Sequence, residues 1–86
     1  EKVRQVVCYQ MGNGEVLVGV LSEPLFSLTE RMTLLQSVEK TVKEYTQNNV
    51  YVTLDTDLFV AISKCKEDAK ASQIKEFIIR RNSARM

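Results

Sequence analysis

The sequence predicts an α+β fold: a ββαβα two-layer module in which a three-stranded sheet is packed by one amphipathic helix and followed by a long C-terminal helix. Three observations predict it. Two β-branched runs flank Gly12-Asn13-Gly14, a hairpin signal because glycine and asparagine tolerate the positive φ that tight turns require. Ser27-Leu28-Thr29-Glu30 has the form of a capping box and opens a stretch with apolar residues every three or four positions. The stretch 50–62, VYVTLDTDLFVAI, reads as a buried strand running through an acidic cap into a helix. With 86 residues, 44% of them hydrophobic, one proline and three glycines, the chain makes a single small domain over 1–86. Residues 1–56 are expected to form the sheet and first helix, and 57–81 a projecting C-terminal helix.

The first strand is expected over 2–11, where Val3, Val7, Tyr9 and Met11 alternate with Lys2, Arg4 and Gln10, although Val6 and Cys8 blur the contrast. The second, over 15–22, sets Val16, Val18 and Val20 on one face and Leu17, Gly19 and Leu21 on the other. Strands apolar on both sides imply a sheet covered on one face and partly covered on the other. Pro24 ends this strand. Met32, Leu35, Val38, Val42 and Tyr45 then form the stripe of the first helix, Glu39–Lys43 and Lys40–Glu44 add weak surface pairs, and Asn48-Asn49 closes it. A helix between the second and third strands makes a right-handed crossover if those strands run parallel. The third strand carries Val50, Val52 and Leu54 on one face. In Asp55-Thr56-Asp57, Asp55 or Thr56 is expected at the N-cap of the next helix, with Asp57 in its first turn. The position favours capping over the divalent-metal use of an Asp-x-Asp triplet.

The last helix carries two stripes. Leu58, Ile62, Cys65 and Ala69 form one, with Phe59 beside it; Ile74, Phe77 and Ile78 form the other. On a continuous helix the step from Ile62 to Ile78 leaves the second stripe about 160° from the first. Lys66 to Ala71 are mostly good helix formers, so a continuous helix with a projecting distal patch is favoured over a bend near Ala71-Ser72. Such a patch would need a partner.

Chemistry is sparse. The chain has no histidine, which removes the usual general acid–base group near neutrality and, with only Cys8 and Cys65 and no CxxC pair, makes zinc binding unexpected. Both cysteines fall on apolar patterns, as buried free thiols do, and a Cys8–Cys65 disulfide stays open. Gly12–Gly14 leads into a strand rather than a helix N-terminus, so it does not read as a phosphate loop. No catalytic residue, cofactor or metal site is expected. Residues 1–63 carry five basic and eight acidic side chains, while 64–86 carry seven basic and three acidic. The bland reading of that basic end is a solvated helix face with well-placed cations, and nucleic acid is not an expected partner.

The segment 3–59 resembles the YhcN/YlaJ family of sporulation lipoproteins. The likeness lies in the opening V-R-Q-V-V, the second strand G-E-V-L-V-G-V, the charged amphipathic helix, and V-Y-V-T-L-D-T-D-L-F, where Asp55, Asp57, Leu58 and Phe59 fill the acidic turn and the apolar positions after it. The resemblance implies an exported protein tethered through a lipidated cysteine upstream of residue 1, since Cys8 sits in a strand and Cys65 in a helix. It implies a place in spore formation or germination, and it supplies no catalytic residues.

The expected function is therefore a non-catalytic interaction module at the spore envelope. Its partner surface would be Ile74, Phe77 and Ile78 with Arg80 and Arg81, used for self-association or for docking another envelope protein, with the lipid anchor holding it to a membrane. The competing reading is a cytoplasmic small-ligand or regulatory α+β domain with its ligand at a sheet edge or dimer seam.

Overall fold

The computed structural model describes residues 3–24 and 27–84. Its elements are β1 (Val3–Gln10), β2 (Val16–Ser22), α1 (Leu28–Thr46), β3 (Val50–Thr53), α2 (Thr56–Lys64) and α3 (Asp68–Ala84). The three strands form one mixed sheet in the order β1-β2-β3, with β1 antiparallel and β3 parallel to β2. The fold is α+β. The sheet and α1 form the expected pair of layers, and α2 and α3 cover the other face.

The hairpin turn closes through Met11 N–H to Glu15 O at 2.8 Å and Gly14 N–H to Met11 O at 2.9 Å. Gly14 takes φ 92°, open to glycine without steric cost, and Asn13 Oδ1 accepts from Glu15 N–H at 2.9 Å. Val16 N–H donates to Asn49 O across the sheet. Even-numbered residues of β2 therefore turn their peptide groups toward β3, and odd-numbered ones toward β1. Gln5, Val7 and Tyr9, which face Leu21, Gly19 and Leu17, close the ladder on the β1 side.

Side chains alternate across this sheet, so β2 feeds two cores. On one face Val16, Val18, Val20, Val50, Val52 and Leu54 are buried beneath Leu34, Leu35, Val38 and Val42 of α1. On the other, Leu17 and Met11 pack with Leu58 and Ile62 of α2 and with Ala71, Ile74 and Ile78 of α3. Gly19 allows the second contact: a Cβ there would lie 3.1 Å from Phe59 Cα, so α2 rests almost directly on the backbone of β2. Helix α1 begins as the capping box predicts, with Ser27 Oγ accepting from Glu30 N–H at 3.1 Å, and ends at Gln47 in the left-handed region. Its stripe differs at both ends, and Met32 lines a cleft beside the core rather than joining it. Leu34 joins the core, while Tyr45 is 84% exposed because the apolar contact ends one turn earlier, at Val42.

The continuous, projecting helix expected over 57–81 is not what forms. Helix α2 stops at Cys65, whose backbone turns extended (φ −71°, ψ 132°), and α3 starts anew at Asp68. The change of direction brings both apolar stripes onto the sheet, so the patch that would have projected is core: Ile74 and Ile78 are buried, the latter 1% exposed. Ala71 replaces Ala69 in the stripe. Helix propensity across 66–71 is a weak preference, and burial of the second stripe outweighs it. The bend falls a full turn before Ala71-Ser72.

Candidate interaction site

Helix α3 is fastened to the rest of the domain by three polar clusters spaced along it. At its first residue, Asp68 Oδ2 accepts from Gly12 N–H at 2.9 Å and Oδ1 from Tyr9 Oη–H at 2.8 Å. The hairpin backbone approaches so closely that a Cβ on Gly12 would meet Asp68 Oδ2 at 2.9 Å. Two turns on, Lys75 Nζ lies 3.2 Å from Glu15 Oε1 and 5.5 Å from the centre of the Tyr51 ring, while Tyr51 Oη–H donates to Glu15 Oε2 at 3.1 Å. Near the C-terminal end, Arg81 Nη1 bridges Asp55 Oδ2 at 3.2 Å and Asp57 Oδ1 at 2.8 Å, and Arg31 of α1 reaches Asp55 Oδ1 at 3.3 Å. Beside it Asn82 Nδ2 donates to Val52 O at 3.0 Å, stopping one carbonyl on the free edge of β3.

These clusters have the residue types of an active site and the titration behaviour of struts. Hydrogen bonds from Lys75, Asn13 and Asn49 hold the Glu15 carboxyl below its ordinary range, and the same contact holds Lys75 above its own. Burial, with Glu15 beside it, raises Tyr51. The hydrogen bond to Asp68 pushes Tyr9 up to about 12, while Gly12 N–H and Tyr9 lower Asp68. Arg81 lowers Asp57. Every one of these shifts moves a group away from neutrality, whereas a general acid or base works best with a pKa near the working pH.

The Asp-x-Asp triplet sits where expected, with Asp55 at the N-cap of α2 and Asp57 in its first turn. The Asp55 side chain makes no capping hydrogen bond, because its oxygens serve Arg31 and Arg81 instead. Among the described residues no group of three or more histidine, cysteine, aspartate or glutamate side chains is placed to hold a metal ion. Cys8 and Cys65 are both free thiols. Cys8 pairs with Val18 on the α1 side of the sheet, whereas Cys65 packs into the core on the other side. Cys8 is exposed as a residue, yet its surroundings desolvate the sulfur enough to raise its pKa, which keeps it a thiol.

Of the five residues expected to form a partner surface, Ile74 and Ile78 are therefore interior, and Arg81 is committed to Asp55 and Asp57. Phe77 and Arg80 remain on the outer face. Phe77 is 47% exposed, with the Arg81 guanidinium 5.9 Å from its ring centre, and with Gln73, Glu76 and Arg80 it lines a shallow open hollow. A smaller cleft of about 160 Å³ lies between α1 and the end of α3, lined by Leu28, Arg31, Met32, Leu35, Gln36, Glu39 and Asn82. Among the described residues no helix is long and apolar enough to cross a membrane. Tyr9, Glu15, Asp68 and Lys75 carry no local sequence signal, since each meets its partner from 56 or more positions away or through a residue that does. No family model, curated protein or solved structure matches this chain.

Proposed function

We propose that the domain is a non-catalytic interaction module of a lipid-tethered protein acting at the spore envelope in sporulation or germination. The outer face of α3 around Phe77 and Arg80 meets its partner, another envelope protein or a further copy of the chain. The observation that carries this reading is the way α3 is held. Three polar clusters and two buried isoleucines fix the helix against the sheet, and a half-exposed aromatic beside arginines is left on its flank, the composition that binding hot spots favour. A rigid helix loses little entropy on docking. The envelope setting and the lipid tether rest on the resemblance of residues 3–59 to the YhcN/YlaJ family.

Two experiments test it. Phe77→Asp is expected to abolish docking to envelope material while the circular dichroism keeps the parent's folded form and the chain still melts cooperatively; unchanged docking would sink the assignment of this face. Intact-mass measurement of the native protein from membrane and soluble fractions tests the tether, and an unmodified protein found only in the soluble fraction would remove it. The cleft beside Arg31 favours the second reading, a cytoplasmic small-ligand or regulatory domain. At about 160 Å³ it falls well short of the roughly 300–1,000 Å³ of ordinary ligand pockets, so it ranks second.

A further inference from the structure

The two edges of the sheet are treated differently. At β3 the strand is only four residues long, Asn82 occupies the Val52 carbonyl, and side chains of α1 and α3, among them Leu35, Glu39 and Ile79, wall the edge on both sides. At β1 the strand is eight residues long and ends the sheet, with no strand paired to its outer side among the described residues. Because Gln5, Val7 and Tyr9 spend their peptide groups on β2, those of Val6, Cys8 and Gln10 point outward. The same three residues have exposed side chains, Val6 at 48%; the core beneath α1 draws its buried residues from β2, β3 and Leu54, and β1 meets it through Val3 at its start.

Protected edges use proline, charge, bulges or shortness. Here a register irregularity between Val3 and Gln5 disturbs the start of the strand, but Gln5-Val6-Val7-Cys8-Tyr9-Gln10 is uncharged, regular and free of proline. We propose that two copies of this chain pair through the outer edges of their β1 strands, antiparallel about a twofold axis at Val7, joining two three-stranded sheets into one continuous sheet.

A second copy is the occupant that the edge itself specifies. An antiparallel edge is its own complement under a twofold, so each outward N–H and C=O of Val6 and Cys8 meets its counterpart. In this register Val6 faces the partner's Cys8, covering both exposed apolar side chains. Arg4 falls opposite the partner's Gln10, six positions from the partner's Arg4. That is roughly 20 Å at strand spacing, beyond the ~8 Å screening length at physiological salt. No like charges meet. A six-residue edge is a small interface, so the pairing is expected as a concentration-dependent equilibrium rather than an obligate dimer. This extends the interaction reading to a surface on the opposite end of the sheet from Phe77, and the two surfaces fail independently.

The test is sedimentation equilibrium of the 86-residue chain with amide hydrogen exchange read by NMR. The expected result is a mass rising with concentration from 9.8 kDa toward twice that value, with the amides of Val6, Cys8 and Gln10 gaining protection in step. Val6→Lys should weaken the association roughly tenfold by placing a charge in the seam, while Val60→Lys, on an exposed position of α2, and Phe77→Asp leave it intact. Cys8→Pro, which deletes one outward N–H, should act like Val6→Lys; if that variant does not fold, the amide protection of the parent chain still decides. A monomer at all concentrations overturns the proposal. So does a dimer that survives Val6→Lys but not Phe77→Asp, and so does protection of the β1 amides that appears only when a different protein is added.

Discussion

Replacing Ile78 by alanine separates a helix that belongs to the core from one that projects. Ile78 is 1% exposed and packs with Leu17, Leu58 and Ile62, and the substitution removes three carbon atoms. At ~0.8 kcal/mol per buried methylene the transfer loss is roughly 2.4 kcal/mol, and an incompletely collapsed cavity brings the total to about 3 kcal/mol. A domain of this size has on the order of 4–13 kcal/mol to lose. At ~4–8 °C per kcal/mol, the melting temperature should fall by roughly 12–24 °C. Phe77, the preceding residue, is 47% exposed, and Phe77→Ala should cost about 1.5–2.5 kcal/mol, near half the loss for a buried phenylalanine. Urea unfolding of the two variants side by side is the assay. Equal costs at the two positions, or a loss below about 1 kcal/mol at Ile78, would refute the docking of α3 and return it to a projecting helix.

Three further outcomes are expected. Gly19→Ala forces a Cβ within 3.1 Å of Phe59 Cα, a backbone atom that cannot swing aside, and should destabilise the domain by about 1–3 kcal/mol in the same urea assay; a neutral result would mean α2 rides further from β2. Glu15, Asp57 and Asp68 have folded-state pKa values below their ordinary ones, so their contribution is whole above the ordinary carboxylate range and is lost as pH falls through the lowered values. The urea midpoint should drop on acidification below pH ~4, with a shallower slope in Asp68→Asn; identical profiles would exclude Asp68 from the effect. On the alkaline side, Tyr9 stays protonated to about 12, so its contribution is whole below the ordinary tyrosine value near 10 and is lost as pH rises through about 12. Ultraviolet titration should show that late ionisation, moving back toward the ordinary value in Asp68→Asn, where the charged acceptor is gone.

What could be read from sequence was what is local. The Gly12-Asn13-Gly14 turn, the Ser27 cap, the α1 stripe from Leu35 to Val42 and the passage from β3 through Asp55 into α2 each occupy a few consecutive residues, and each formed within a residue or two of its expected place. The misreadings all involve contacts distant in sequence. Residues 66–71 are good helix formers, and nothing local reveals that Asp68 will be held by Gly12 and Tyr9 across 56 and 59 positions. That anchor and the burial of Ile74 and Ile78 on the sheet both require the bend at Cys65. The partner surface suffered for the same reason: an apolar cluster on a helix reads the same whether it faces a partner or its own sheet. Phe77 and Arg80 kept exposed places because of where α3 turns them: at 100° per residue Phe77 sits on the flank, about 80° from the midpoint of the two isoleucines, and Arg80 about 140° from it.

The order in which the two cores are supplied has a consequence for synthesis. Everything in the core beneath α1 is encoded by Leu54, whereas the core on the other face needs α2 and then α3, which ends at Ala84. A ribosome adding ~5–20 residues per second takes on the order of 2–6 s over that interval. Throughout it a nascent chain with its hairpin, α1 and β3 in place carries a finished upper half and a bare lower sheet surface, with Leu17 and Tyr9 uncovered. The three polar fasteners are all completed by α3, so they cannot help until the helix arrives. A chain that folds as it emerges thus passes through a half-clad stage, with one apolar face of its sheet waiting on the last helix.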